Sequence, residues 1–239
     1  MKLWDKKNSG NDKIIEFTVG NDRLNDLYLI KYDIIASISH AKMLHRSNLL
    51  SEIECDKIIK ILNEMLSQAE AGKLKIDKEF EDMHSKIEFT LIDKLGDIGK
   101  KIHTARSRND QVLVSIQLYL IDELNSIKKE VKSLFDLLIN LAKKNKDIIM
   151  PGYTHMKAAM PSSFGLWFSA YAETLIDDII SLNSTIEIVN QNTLGSAAGY
   201  GTSFDIDRDF TTKDLNFKTL KYNSLACQIS RNKIEKNTF

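Results

Sequence analysis

Residues 120–141, LIDELNSIKKEVKSLFDLLINL, decide the fold. Leu120, Leu124, Ile127, Val131, Leu134, Leu138 and Leu141 step alternately by four and three residues. That spacing draws one apolar stripe with a period of about 3.5 residues, the pattern of a seam between helices crossing at about 20°. Residues 168–189, FSAYAETLIDDIISLNSTIEIV, repeat it through Phe168, Ala172, Leu175, Ile179, Leu182, Ile186 and Val189. Each run predicts a helix of roughly 25 residues or more, about 40 Å long at about 1.5 Å per residue. A turn is expected between them at MPGYTH, residues 150–155, so the helices should run antiparallel. Burial of one seam falls well short of the entropy lost in ordering two such helices. Other faces must also be covered, by the rest of the chain or by other copies, and a helical homo-oligomer is expected.

Upstream, Leu24, Leu27, Ile30, Ile34, Ile38, Ala41 and Leu44 recur at helical spacing and predict a first helix buried along that face. Ser51 and Glu54 form the pattern of a capping box, followed by Ile58, Ile61, Leu62, Met65 and Ala69 and closed by Gly72. Met83, Ile87, Leu91 and Leu95 predict a third, shorter helix ending at Gly96 with an acidic first turn. Near the end, Leu225, Ala226, Ile229 and Ile234 read as the start of another helix that the sequence leaves uncapped at Phe239. The expectation is an all-α chain, with a small helical domain over residues 1–105 and the first part of a long-helix bundle over 106–239. Only ten glycines and two prolines interrupt 239 residues, which suits long helices.

Charge narrows the function classes. Lys and Arg number 33, as do Asp and Glu, so no net field draws the chain to nucleic acid or an anionic membrane. The longest mainly apolar uncharged run, residues 158–172, is too short to span a bilayer and contains Pro161. No apolar stretch follows the basic N-terminus as a secretory signal would require. Cys55 and Cys227 are far apart in sequence and suggest reduced thiols. A cytoplasmic protein is expected. The five histidines lack metal-ligand spacing, so neither a metal nor another cofactor is expected. His40 and His45 read as ordinary surface or interface residues of the first helix.

Four polar segments stand out. Arg106-Ser107-Arg108-Asn109-Asp110 immediately precedes the first long helix, whose N-terminus attracts anions. Arg108 suits a bidentate carboxylate, with Ser107 and Asn109 adding hydrogen bonds. The alternative is a cap made by Asn109 or Asp110, with solvated arginines. His155 lies beside Thr154 in the predicted turn and can exchange a proton near neutral pH, or can be structural there. His84, in Asp82-Met83-His84, lies one step off the apolar stripe and either faces a cleft or is solvated. Leu194–Ser203, LGSAAGYGTS, could present backbone amides to an anion or simply connect helices; it is not a P-loop.

In order along the chain, LWDKKNS, HAKML, EDMH, GKKIHTARSRNDQV, MPGYTH followed by MPSSFG, and LGSAAGYGT resemble segments of the argininosuccinate lyases within the fumarase/aspartase superfamily. The resemblance implies an all-helical homotetramer that eliminates fumarate from argininosuccinate, releases arginine and needs no metal or organic cofactor. It further implies that Ser107, Arg108, Asn109 and Thr154 bind substrate carboxylates, that His155 moves a proton at the leaving nitrogen, and that His84 orients the substrate. Gly20 and Asn21 match a substrate-contacting turn in which many members carry Ser at the first position. Two further departures stand out. Lys157 replaces a family Gln two residues after His155, and its ammonium would favour the neutral imidazole if the two approach. The family's serine-base loop, GSSxMPxKxNP, does not occur in these 239 residues, so this chain alone is expected to show little activity.

Overall fold

The computed structural model describes residues 17–229. The LWDKKNS segment and the stretch from Ile234 to Phe239 lie outside them. The first three helices follow the sequence reading: α1 (Asp22–Arg46), α2 (Glu52–Glu70) and α3 (Met83–Leu95). The capping box at α2 is present, with Ser51 and Glu54 exchanging hydrogen bonds. Ile34, Leu44, Ile58, Leu62, Ile87 and Leu91 are fully buried where α1, α2 and α3 pack. Leu24 and Leu27 depart from the expected buried face, at 64% and 41% exposed, while Arg23 and Asp26 on the same turns bond to residues 78–83. A one-turn α4 (Asp97–Lys100) and a 3-10 turn (Lys101–His103) then lead to α5 (Arg108–Lys144).

The chain divides into two compact units. One runs up to Tyr119 and resumes at Asn190; the other is Leu120–Val189. This differs from a divide near residue 105, because Asp110, Gln111, Leu113, Val114, Ser115 and Gln117 on the first turns of α5 are all buried in the first unit. After residue 190 the first unit adds α7 (Arg208–Asp214), α8 (Ser224–Ile229) and a short parallel pairing of β3 (Gln191–Asn192) with β4 (Thr219–Leu220).

The second unit holds the rest of α5 and α6 (Phe164–Val189). They run antiparallel, with Lys128 Nζ donating to Asn183 Oδ1 at 2.7 Å. Leu124, Ala172 and Val189 are buried along the seam, while Leu134, Leu137, Ile176 and Ile180 lie on exposed faces. Between the helices lies an open groove of about 590 Å³ lined by Val131, Phe135, Leu175 and Ile179, with Lys128 and Lys132 at its rim.

The expected turn at MPGYTH is an antiparallel hairpin, β1 (Ile149–Thr154) with β2 (Lys157–Ser163). Pro151 and Pro161 face each other, which a two-stranded ribbon tolerates because both strands are edges. Glycine at 165 permits the close approach of α6 to the end of α5: a Cβ there would lie 2.7 Å from Lys146 Cα and 3.1 Å from the Ala142 carbonyl oxygen. Gly165→Ala is therefore expected to destabilise the protein by about 1–3 kcal/mol, read as a lower urea midpoint with an unchanged slope.

Candidate active site

The first turn of α3 gathers most of the polar chemistry in the first unit. Asp82 caps the helix, its Oδ1 accepting from Ser85 N at 2.7 Å, and Asp26 Oδ2 accepts from Met83 N at 2.9 Å. The positive end of the helix is thereby occupied by two protein carboxylates. Arg108 reaches this turn from the start of α5, donating from Nη1 to Asp82 Oδ2 at 2.6 Å and from Nη2 to Ser85 Oγ at 2.8 Å. Its guanidinium is thus oriented by α3 rather than solvated.

His84 is buried, and so is its partner. Its Nδ1 lies 2.7 Å from Asp33 Oδ2, and Gln111 Nε2 donates to both Asp33 oxygens at 2.8 and 3.1 Å. The network ties α1, α3 and α5 together, and the expectation of a solvated or cleft-facing His84 is corrected: the ring is 4% exposed. Burial alone would lower the imidazole's pKa, but the Asp33 carboxylate outweighs it and the net shift is upward. Burial would raise Asp33, but the charge and hydrogen bond of His84, with Arg106 and Gln111, hold it below the ordinary carboxylate range. Both shifts favour the charged form of the pair.

Arg106 is also buried, with Nη1 donating to Ser37 Oγ at 2.9 Å. The reading of two solvated arginines fails for both, because acidic and hydroxyl partners from α1 and α3 meet them. His40, expected on the surface or at an interface, is fully buried with Nε2 2.9 Å from the Thr104 carbonyl oxygen. Burial and the nearby Arg106 charge push its pKa down to about 3, so it stays neutral. His45 is exposed, with Nδ1 3.1 Å from the Leu50 carbonyl oxygen.

Ser107 supplies the α5 cap: its Oγ accepts from Asn109 N at 3.3 Å, and Asp110 Oδ1 accepts from Ser107 N at 3.0 Å. Ala105, just before it, has φ +58°, a left-handed conformation rare for alanine, which turns the chain into the helix. Gly20, at φ +50°, and Asn21, the residue before α1, lead into the helix that carries Asp26 and Asp33. The glycine-rich loop spends two amides on the protein itself, since Gly195 N and Ala197 N both donate to Asp110 Oδ2 at 2.9 and 3.0 Å.

Thr154 and His155 belong to the second unit, where both are exposed at the hairpin tip. Thr154 pairs with Lys157, leaving His155 and Met156 as a two-residue loop at φ +50° and +64°. Both φ values are positive, as a type I′ turn requires, in side chains that rarely adopt them. Among the described residues no group of three or more His, Cys, Asp or Glu side chains is placed to hold a metal ion.

Sequence reasoning missed Asp33, Asp82, Ser85, Gln111 and the inward role of Asp110. Asp33 did leave a signal: it is a charge beside Ile30, Ile34 and Ser37 on the buried side of α1.

A protein-family profile described as lyase matches residues 9–238. The chain belongs to this lyase family. Its sequence is 48% identical over 236 residues to the argininosuccinate lyase of Phocaeicola vulgatus, covering 99% of this chain and 53% of that protein. Identity is 45% to the argininosuccinate lyase of Thermotoga neapolitana, over 98% of this chain and 59% of the relative. The chain spans about half the length of the curated relatives it matches. Among solved lyase-family structures, EDDS lyase in complex with formate aligns with a TM-score of 0.80 at 25% identity, over 88% of this chain and 41% of that one. A fumarate lyase:delta crystallin from Brucella melitensis, at 15% identity and TM-score 0.72, covers 85% of this chain and 50% of its own and shares the fold.

The His84–Asp33 pair makes the stability of this lyase-family fold depend on pH. His84, raised above its unfolded value near 6.5, stabilises fully below that pH, and its contribution is lost as pH rises through the folded value. Asp33, lowered, contributes above about 3.8 and is lost as pH falls through its folded value. Asp33→Asn is expected to cost about 3–5 kcal/mol and to lower the His84 titration, because burial is then opposed only by the more distant charges of Asp82 and Asp26. Chemical unfolding and imidazole NMR titration measure both.

Proposed function

We propose that this chain is part of an argininosuccinate lyase, with Arg108 at its centre as a carboxylate-binding group. The observation that carries the proposal is that guanidinium, held by Asp82 and Ser85 at the capped start of a 37-residue helix. Proton loss from a carbon beside a carboxylate builds negative charge on that carboxylate. Donors fixed before the reaction stabilise that charge by several kcal/mol without reorganising. Ser107, Arg108 and Asn109 supply such donors, with the buried His84 orienting the substrate. Thr154 binds a second carboxylate, and His155 protonates the departing guanidinium nitrogen. The names of the relatives at 45–48% identity support the choice of substrate. Residues outside these 239 would supply the proton-abstracting base, since the GSSxMP pattern is absent here.

We further propose that the chain works as a homo-oligomer, a tetramer as in the family. Leu134, Leu137, Trp167, Ile176 and Ile180 are 44–59% exposed on the long helices, and an apolar face of that size calls for a partner surface. A compact, stable monomer in sedimentation would overturn this.

Fumarate absorbance after argininosuccinate addition tests the reaction. The 239 residues alone should turn over at least about 10²-fold more slowly than a full-length relative, the scale of a lost general base. Adding a separately produced C-terminal part of such a relative should restore turnover. In the restored enzyme His155→Asn should lower kcat by about 10²–10⁴. Ordinary rates from the isolated chain, or no fumarate in the mixture, would sink the reading.

A further inference from the structure

We infer that Asp110 is a positioning residue, tying the Gly195–Ala197 loop to the Ser107–Asn109 turn so that the two form one wall of a dicarboxylate site. The inference rests on the proposed carboxylate binding by Ser107–Asn109. Asp110 is fully buried, and its side chain accepts three backbone amides: Ser107 N on Oδ1, and Gly195 N and Ala197 N together on Oδ2. Two of those amides come from 85 and 87 residues away in sequence.

The loop is shaped for this contact. Gly195 has φ +85° and Ala197 φ +51°, and these left-handed residues flanking Ser196 turn the two amides onto one oxygen. A Cβ at 195 would sit 2.9 Å from Arg208 Cγ and from Ile206 Cδ1, so glycine is needed there. From behind, Arg208 Nε donates to the Leu194 carbonyl oxygen at 2.9 Å and Gln228 Nε2 to that of Ala197 at 3.2 Å. The loop is therefore a fixed body held at both faces, and Asp110 is its link to the turn that carries Arg108. An anion-receiving loop would aim its amides outward; here Gly195 and Ala197 converge on an internal carboxylate, so the loop acts through Asp110. Burial pushes the Asp110 carboxyl above its ordinary pKa despite the three amides and the charge of Arg106.

The test uses the isotopically labelled 239-residue chain. In the unaltered protein the Asp110 carboxyl carbon and the Gly195 and Ala197 amide protons should titrate with one shared midpoint; separate midpoints would overturn the link. In Asp110→Asn, the side-chain amide donors oppose either Ser107 N–H or the two loop N–H groups. Amide exchange at Gly195 and Ala197 should then quicken at least about tenfold, the resonances of Ser107–Asn109 should shift, and fumarate affinity read at those resonances should fall at least about tenfold. A folded Asp110→Asn chain with a faster-exchanging loop but unshifted Ser107–Asn109 resonances or fumarate affinity within about twofold would remove the positioning role. If the variant does not fold, the shared titration in the unaltered chain still decides the link. If the unaltered chain shows no fumarate response at Ser107–Asn109, the carboxylate reading fails. The ligand-free shifts of the variant then decide whether Asp110 sets that turn.

Discussion

A charge pair sealed from water holds the first unit in one arrangement. Asp33 comes from α1, His84 from α3, and Gln111 from α5 completes the carboxylate's hydrogen bonds. Taking two ions out of water costs several kcal/mol each, and a wrong helix register would leave one of them without its partner. The pair therefore specifies which turns of the three helices meet. Because His84 shares the first turn of α3 with Asp82 and Ser85, the same constraint places the partners that orient Arg108.

The second unit is organised by a different force. Its two helices bury Leu124, Ala172 and Val189, but Val131, Leu175 and Ile179 line an open groove between them and Ile127 and Leu134 stay exposed. Charge is unevenly shared: α6 carries Glu173, Asp177, Asp178 and Glu187 with no lysine or arginine, whereas Lys128, Lys129 and Lys132 cluster on α5 beside the groove. On α5, however, Asp136 also lines the groove and pairs with Lys132, so the lysine charge there is partly balanced within the helix.

What the sequence reveals depends on the range of the interaction. Local periodicity placed every long helix, because burial of a stripe is written at three- and four-residue spacing; the Ser51–Glu54 box marked the start of α2 for the same reason. The motif around Arg108 was legible as chemistry. Its partners were not, since Asp82 lies 26 residues upstream and the loop amides bound by Asp110 lie 85 and 87 downstream. His40 misled because its buried acceptor, the Thr104 carbonyl, is 64 residues away. The hairpin was hidden by Pro151 and Pro161, residues that argue against strands until they are seen facing each other on two edges.

The hairpin's register has a geometric corollary. Gly152 pairs with Met160 and Tyr153 with Ala158, so Ala159 is an extra residue that bulges one strand just before the tip. Side chains alternate between the two sides of a ribbon, and one unmatched residue changes how the strands face each other from that point on. The unmatched alanine adds local bend and twist just before the tip, so the odd length of the return strand helps to aim the loop that carries His155.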